Sequence, residues 1–121
     1  MSDITTVILA AGNSTRFKAS KSKLVYPLCG LPIVSHIFNI AKKISGKNIL
    51  VVSNEKNKEE LKLILNTSKL VVQKKQKGTA DAIEQVKKYV KSKNILILFG
   101  DTPLVEVKDI RKLVSKFKKS K

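Results

Sequence analysis

The chain has 121 residues, of which 42% are hydrophobic, 28% are charged and 5% are aromatic, and its formal net charge at pH 7 is +16. This length suits a single domain over residues 1–121, and the polar basic end at residues 116–121 is expected to be frayed. All of the 25 basic residues except Arg16 and Arg111 are lysines, spread along the chain. The composition therefore argues against a dedicated nucleic-acid surface and indicates a general positive field.

Neither a membrane segment nor a disulfide is expected. No apolar run approaches the roughly 20 residues that a membrane-spanning helix needs. Ser2 and Asp3 precede an apolar run that is too short for the core of a signal peptide. Cys29 is the single cysteine, which excludes an internal disulfide and fits a reducing compartment. We therefore expect a cytoplasmic protein with no membrane partner.

Four short apolar runs predict β-strands. They are continuous rather than alternating, as is typical of strands that are covered on both faces. The predicted strands lie at residues 5–10, 48–53, 70–73 and 94–99.

Helical spacing of apolar residues fills the intervals between the strands. A first helix is expected to open at Pro32 and to end at Gly46. Asn57 is a candidate cap for a second helix and Thr79 for a third, and a fourth is expected to start at about residue 107 or 109. The resulting β-α-β-α-β-α-β-α order predicts a three-layer α/β/α, Rossmann-like fold with a mostly parallel sheet.

The first strand leads into a turn that reads LAAGNSTR at residues 9–16. Its small residues let a backbone come close to a ligand with N–H groups pointing outward, and Arg16 supplies a planar cation suited to phosphate oxygens. The turn matches neither of the two common glycine-rich phosphate loops, so an ordinary structural turn is the alternative interpretation. The candidate nucleotide-binding residues here are Leu9, Ala10, Ala11, Gly12, Ser14, Thr15 and Arg16.

Three later segments also carry candidate site residues. Lys23 opens the segment KLVYPLCGLP and is a second cation for phosphate oxygens. Gln73 can both donate and accept hydrogen bonds, which suits the edge of uracil, and Gly78 and Thr79 form either a nucleotide contact or an ordinary loop and helix cap. Asp101 follows the fourth strand, where a carboxylate suits Mg²⁺, the alternative being an aspartate that starts a turn.

In this order and spacing the four segments resemble the sugar-phosphate nucleotidyltransferase superfamily of MobA-like NTP transferase domains, and within it the uridylyltransferases that form UDP-N-acetylglucosamine. The resemblance implies that Arg16 and Lys23 are catalytic cations on the triphosphate and that Asp101 binds Mg²⁺. It implies UTP and a sugar 1-phosphate as partners. The residues implied to recognise uracil are Gln73, Gly78, Thr79 and the backbone of Ala10, Ala11 and Gly12.

The chain departs from the family pattern in two local positions and in its length. Ser14 stands where relatives commonly have a second glycine, and Ser22 stands where they usually have a proline before the lysine. Domains of this type are about twice as long. We therefore expect the N-terminal, nucleotide-binding half of the fold, without the part that would carry the sugar-phosphate site and a second metal ligand.

Several functions stay open at this point. The first is a uridylyltransferase domain that uses Mg-UTP and N-acetylglucosamine 1-phosphate. The second is a related transferase of the molybdenum-cofactor or cytidylyltransferase type, which base preference would distinguish. The third is a non-catalytic nucleotide-binding remnant, or one half of a split enzyme that works with a complementary chain carrying the other half.

Overall fold

The computed structural model describes residues 3–11, 27–28, 30–66, 69–74, 78–100 and 106–119. Within these ranges the strands are β1 (Ile4–Leu9), β2 (Pro27–Leu28), β3 (Leu31–Pro32), β4 (Ile49–Ser53), β5 (Leu70–Val72) and β6 (Asn94–Phe99). The helices are α1 (Ile33–Ser45), α2 (Lys58–Leu65), α3 (Thr79–Lys87) and α4 (Val107–Lys119).

The main sheet has four parallel strands in the order β5-β4-β1-β6. Strand β1 lies in the interior of the sheet, with Thr6, Val7 and Ile8 fully buried, which fits a strand that is covered on both faces. The chain moves outward from β1 to β4 and β5 and then returns to the other side of β1 at β6. In open sheets of this kind, ligands bind at the carboxyl ends of the strands, next to the point where the strand order reverses.

Helices cover both faces of the sheet. Alternate residues of β1 point to opposite faces, so that Ile8 packs in one core cluster and Val7 in another. The first cluster contains buried residues of α1, α2 and α4, and the second contains Ala82 and Val86 of α3. The three-layer α/β/α arrangement expected from the sequence is thus confirmed. Among the described helices, α3 packs on one face of the sheet, and α1, α2 and α4 pack on the other.

Element boundaries differ from the sequence expectations by one residue at several places. Ala10 and Gln73 lie just beyond their strands, although their N–H groups still donate to neighbouring strands. Helix α3 has Gly78 rather than Thr79 at its N-cap position, because the backbone at Gly78 takes φ +92°, which glycine adopts without a Cβ penalty. Asn57 occupies the N-cap position of α2, but its side chain makes no capping hydrogen bond.

The ends of α1 agree with the sequence expectations, whereas α4 extends further than expected. Helix α1 starts directly after Pro32 and ends at Gly46, whose φ of +60° favours glycine. Helix α4 continues to Lys119, into the segment for which a frayed tail was expected. Among the described residues, no helix is both long and apolar enough for a membrane span.

Candidate nucleotide-binding site

Hydrogen bonds between the strand ends bring Ala10, Gln73 and Gly100 to one edge of the sheet. The N–H of Ala10 donates to the carbonyl of Val52 over 2.8 Å, and the N–H of Gln73 donates to the carbonyl of Ser53 over 2.7 Å. On the other side of β1, the N–H of Gly100 donates to the carbonyl of Leu9 over 3.0 Å. The residues that directly follow β1, β5 and β6 therefore lie at the same edge of the sheet.

The small residues at the end of β1 are needed by the packing around them. Ala10 and Ala11 are 1% and 4% exposed, and they belong to the core clusters on opposite faces of the sheet. Ala11 packs with Ala82 and Val86, so a larger side chain at position 11 would push α3 away from the sheet. The packing thus explains why residues 10 and 11 are small and places the start of α3 close to the end of β1.

Gln73 is held in one orientation by the start of α3. Its side chain is buried, and Nε2 donates to Oδ2 of Asp81 over 2.8 Å and to the carbonyl of Gly78 over 3.4 Å. A carboxylate only accepts hydrogen bonds, so the amide nitrogen must face Asp81, and the amide oxygen Oε1 points elsewhere. The sequence does not reveal this bond, because the bond depends on how β5 and α3 pack.

Gly78 and Thr79 lie at the exposed start of α3. The backbone at Gly78 has φ +92° and ψ 179°, a conformation that is largely restricted to glycine. Among the described residues no side-chain hydrogen bond caps this end of the helix, and Thr79 is its exposed first residue. The structure therefore brings Gln73 and Gly78 together and leaves backbone N–H groups of α3 next to them.

Sequence reasoning missed a second group of polar residues, the asparagine turn (residues 54–57), which follows β4. The Nδ2 atom of Asn57 donates to the carbonyl of Ala10 over 2.8 Å, and that of Asn54 donates to the carbonyl of Ala11 over 3.1 Å. The only signal in the sequence is a pair of asparagines three residues apart after a strand, which is typical of any turn. Their partners lie more than 40 positions earlier in the chain.

The same turn carries an ion pair at the surface. The Nζ atom of Lys58 lies 3.0 Å from Oε2 of Glu55, and both side chains are partly exposed. The hydrogen bond from Lys58 to Glu55, together with the attraction between their charges, raises the pKa of Lys58 above its usual value. Lys58 is therefore positively charged throughout the neutral pH range.

Half of the predicted site residues lie outside the described ranges. These are Gly12, Ser14, Thr15, Arg16, Lys23 and Asp101. Within the described ranges, no three His, Cys, Asp or Glu side chains come together as a metal-binding group.

Comparison with known sequences places the chain among nucleotide transferases. Residues 6–121 match the family described as the MobA-like NTP transferase domain. The bifunctional protein GlmU of Buchnera aphidicola subsp. Schizaphis graminum is 42% identical over 120 residues, which cover 98% of this chain and 26% of that protein. The GlmU of Campylobacter fetus is 39% identical over 118 residues, covering 93% of this chain and 27% of that protein. The chain thus spans about a quarter of the length of these curated relatives.

Solved structures share the fold. A putative glucose-1-phosphate thymidylyltransferase of Bacillus anthracis superposes with a TM-score of 0.86 at 21% identity, over 98% of this chain and 51% of that one. A CMP:2-keto-3-deoxy-manno-octonic acid synthetase in complex with CTP gives 0.80 at 20% identity, over 98% of this chain and 48% of that one. Together with the family match over nearly the whole sequence, this shows that the chain belongs to the family of MobA-like NTP transferase domains.

Proposed function

We propose that this domain binds UTP with Mg²⁺ and takes part in the transfer of UMP to N-acetylglucosamine 1-phosphate, with release of pyrophosphate. Membership of the NTP transferase family supports nucleotide transfer as the reaction type. The identity of 39–42% to GlmU proteins favours this branch of the family over the others. The acceptor sugar and the choice of UTP are the parts that are proposed here.

The orientation of Gln73 is the observation that carries the choice of base. Because Nε2 is bonded to Asp81 and to the Gly78 carbonyl, Gln73 offers its oxygen to a ligand at this edge. An oxygen accepts a hydrogen bond from the N3–H group of uracil. Cytosine has an unprotonated N3, which would face the same oxygen lone pair to lone pair. The arrangement therefore favours UTP over CTP.

The triphosphate is proposed to bind along the turn that leaves β1, with Arg16 and Lys23 donating to its oxygens. In the reaction, a phosphate oxygen of the acceptor attacks the α-phosphorus, and the bond from this phosphorus to the oxygen of the β-phosphate breaks. Negative charge builds up on the phosphoryl oxygens during this step, so positioned cations stabilise the transition state. Both residues are proposed to supply such cations.

Asp101 is proposed to hold the Mg²⁺. It follows Gly100, the residue directly after β6, whose N–H donates to the carbonyl of Leu9 at the end of β1. A carboxylate is the hard oxygen ligand that Mg²⁺ prefers beside substrate phosphates. When bound, the ion would neutralise charge on the phosphate oxygens.

The acceptor is proposed to bind to a part of the domain that this chain does not include. The chain covers about half of the solved transferases that it superposes on. That part belongs either to the same polypeptide or to a complementary chain.

Calorimetric titration of the purified chain tests the proposal. We expect UTP to bind in the presence of Mg²⁺, more weakly in its absence, and more tightly than CTP, GTP or ATP. A folded chain that binds none of the four nucleotides would refute the proposal. Preferential binding of CTP would refute the choice of base and favour a cytidylyltransferase. Transfer itself is measured as pyrophosphate release with N-acetylglucosamine 1-phosphate, with and without a chain that supplies the remaining half of the domain.

A further inference from the structure

In the asparagine turn, the side chain of each asparagine accepts a hydrogen bond from the backbone N–H of the other. The N–H of Asn54 donates to Oδ1 of Asn57 over 2.9 Å, and the N–H of Asn57 donates to Oδ1 of Asn54 over 2.8 Å. Oδ1 of Asn54 also accepts from the N–H of Lys56. The two amide oxygens are thus occupied within the turn, which fixes the direction of both Nδ2 atoms.

Both Nδ2 atoms reach across to the end of β1. That of Asn57 donates to the carbonyl of Ala10 in a buried hydrogen bond, and that of Asn54 donates to the carbonyl of Ala11. Asn57 is only 5% exposed. It stands at the N-cap position of α2, where asparagine commonly caps the helix, yet its side chain makes no capping bond. The Asn57 side chain therefore hydrogen-bonds to the backbone at the end of β1 and does not cap its own helix.

The turn lies between the two parts of the candidate site. Strand β4 runs between β1 and β5 in the sheet. On one side the turn holds Ala10 and Ala11, and on the other the carbonyl of Ser53, the residue before the turn, accepts from the N–H of Gln73. The turn thereby sets the spacing between the backbone that leaves β1 and the side chain that is proposed to read the base.

We propose that Asn54 and Asn57 are positioning residues for the nucleotide, a proposal that rests on the proposed function. In a trans peptide the carbonyl and the following N–H point in opposite directions, and the described residues contain no cis peptide. By fixing the carbonyls of Ala10 and Ala11, the two asparagines fix the backbone of these two residues, from which the turn that is proposed to bind the triphosphate begins. A backbone held in its binding conformation loses less entropy when the ligand binds.

Aspartate variants separate this role from a local role in the turn. Asn54→Asp and Asn57→Asp keep the Oδ1 acceptors that close the turn, but they lose the Nδ2 donors to Ala10 and Ala11. We expect each to bind Mg-UTP at least about tenfold more weakly, because one hydrogen bond at about 1.4 kcal/mol is lost and a carboxylate oxygen then faces the carbonyl oxygen. Asn54→Ala, which removes donor and acceptor together, is expected to lose at least as much. Val114→Ala, which truncates a buried side chain of α4, is the matched control, because it lowers stability without removing a hydrogen bond to Ala10 or Ala11.

The outcomes distinguish the two proposals. Each variant is first shown to be folded by its thermal unfolding transition, and Asn54→Asp carries the test if the buried Asn57→Asp does not fold. Weaker binding by the aspartate variants, with unchanged binding by Val114→Ala, supports the positioning role. If the parent chain binds Mg-UTP and folded Asn54→Asp binds it equally well, the positioning role is refuted and the proposed function stands. If the folded parent chain binds no nucleotide, both proposals fail.

Discussion

We expect the Asp81→Ala variant to lose most of the preference for UTP over CTP while still binding both nucleotides. In the parent chain, the amide of Gln73 is buried and donates over 2.8 Å to the carboxylate of Asp81. At the position where uracil presents N3–H, cytosine presents an unprotonated N3, which could pair with Gln73 only if the amide turned over and presented Nε2. That rotation would break the bond to Asp81 and bring the oxygen of Gln73 against the carboxylate.

The size of the preference follows from this bond. Hydrogen bonds to charged groups contribute about 1.5–3 kcal/mol, and about 1.4 kcal/mol corresponds to a factor of ten in affinity. We therefore expect the parent chain to bind UTP about 10- to 150-fold more tightly than CTP. With alanine at position 81 only the longer bond to the carbonyl of Gly78 opposes this rotation, so the ratio of the two affinities should fall toward one.

Calorimetric titrations of both nucleotides against parent and variant measure the ratio directly. Asp81 also lies in the first turn of α3, where a carboxylate stabilises the helix by about 0.3–1 kcal/mol, so the stability of each protein is measured as well. Glu84→Ala is the matched control, since Glu84 is an exposed acid on the same helix that lies 3.9 Å from Lys87. A UTP/CTP ratio that is the same in parent and Asp81→Ala would refute the reasoning, whatever happens to the individual affinities.

Three further outcomes are expected. Asp101→Asn should abolish the effect of Mg²⁺ on UTP binding, and titrations with and without Mg²⁺ that match those of the parent would contradict the metal assignment. Gly78→Ala and Gly46→Ala should each lower the free energy of unfolding by about 1–2 kcal/mol, because both positions have positive φ. Only Gly78→Ala should also weaken UTP binding; equal effects of both glycine variants on UTP affinity would contradict the placement of the site. Ser53→Ala should raise the free energy of unfolding by about 1 kcal/mol, since the Oγ of Ser53 is buried without a hydrogen-bond partner among the described residues, and chemical denaturation that shows a loss would contradict this.

The layered fold could be predicted because each layer leaves a local trace in the sequence. Continuous apolar runs identify the parallel strands, and helical spacing identifies the helices between them. The edge of the sheet that carries Ala10, Gln73 and Gly100 follows from chain order alone, since these residues come directly after strands. The end of α1 at Gly46 was predictable for the same reason, because the conformational freedom of glycine acts within a few residues.

The internal support of the site could not be predicted, because it depends on contacts between distant residues. The residues around Asn57 in the sequence predict that it caps a helix. Only the packing of β4 beside β1 shows that its side chain is bonded to the carbonyl of Ala10. From the sequence, Asp81 is expected only to stabilise the N-terminus of a helix. Its hydrogen bond with Gln73 forms only when α3 is folded against β5. The shift of the cap from Thr79 to Gly78 depends on a backbone conformation that propensities alone do not specify.

The uneven covering of the sheet has a consequence for how the domain opens. Among the described helices, α3 packs on its face of the sheet through Ala82 and Val86, whereas α1, α2 and α4 share a larger cluster on the other face. A short helix with few buried side chains separates from the sheet at a lower free energy than the rest of the fold. The amide hydrogens of α3 should therefore exchange with deuterium before those of β1 and α1. Because Gln73 and Ala11 both contact this helix, a bound nucleotide should slow that exchange by holding α3 closed.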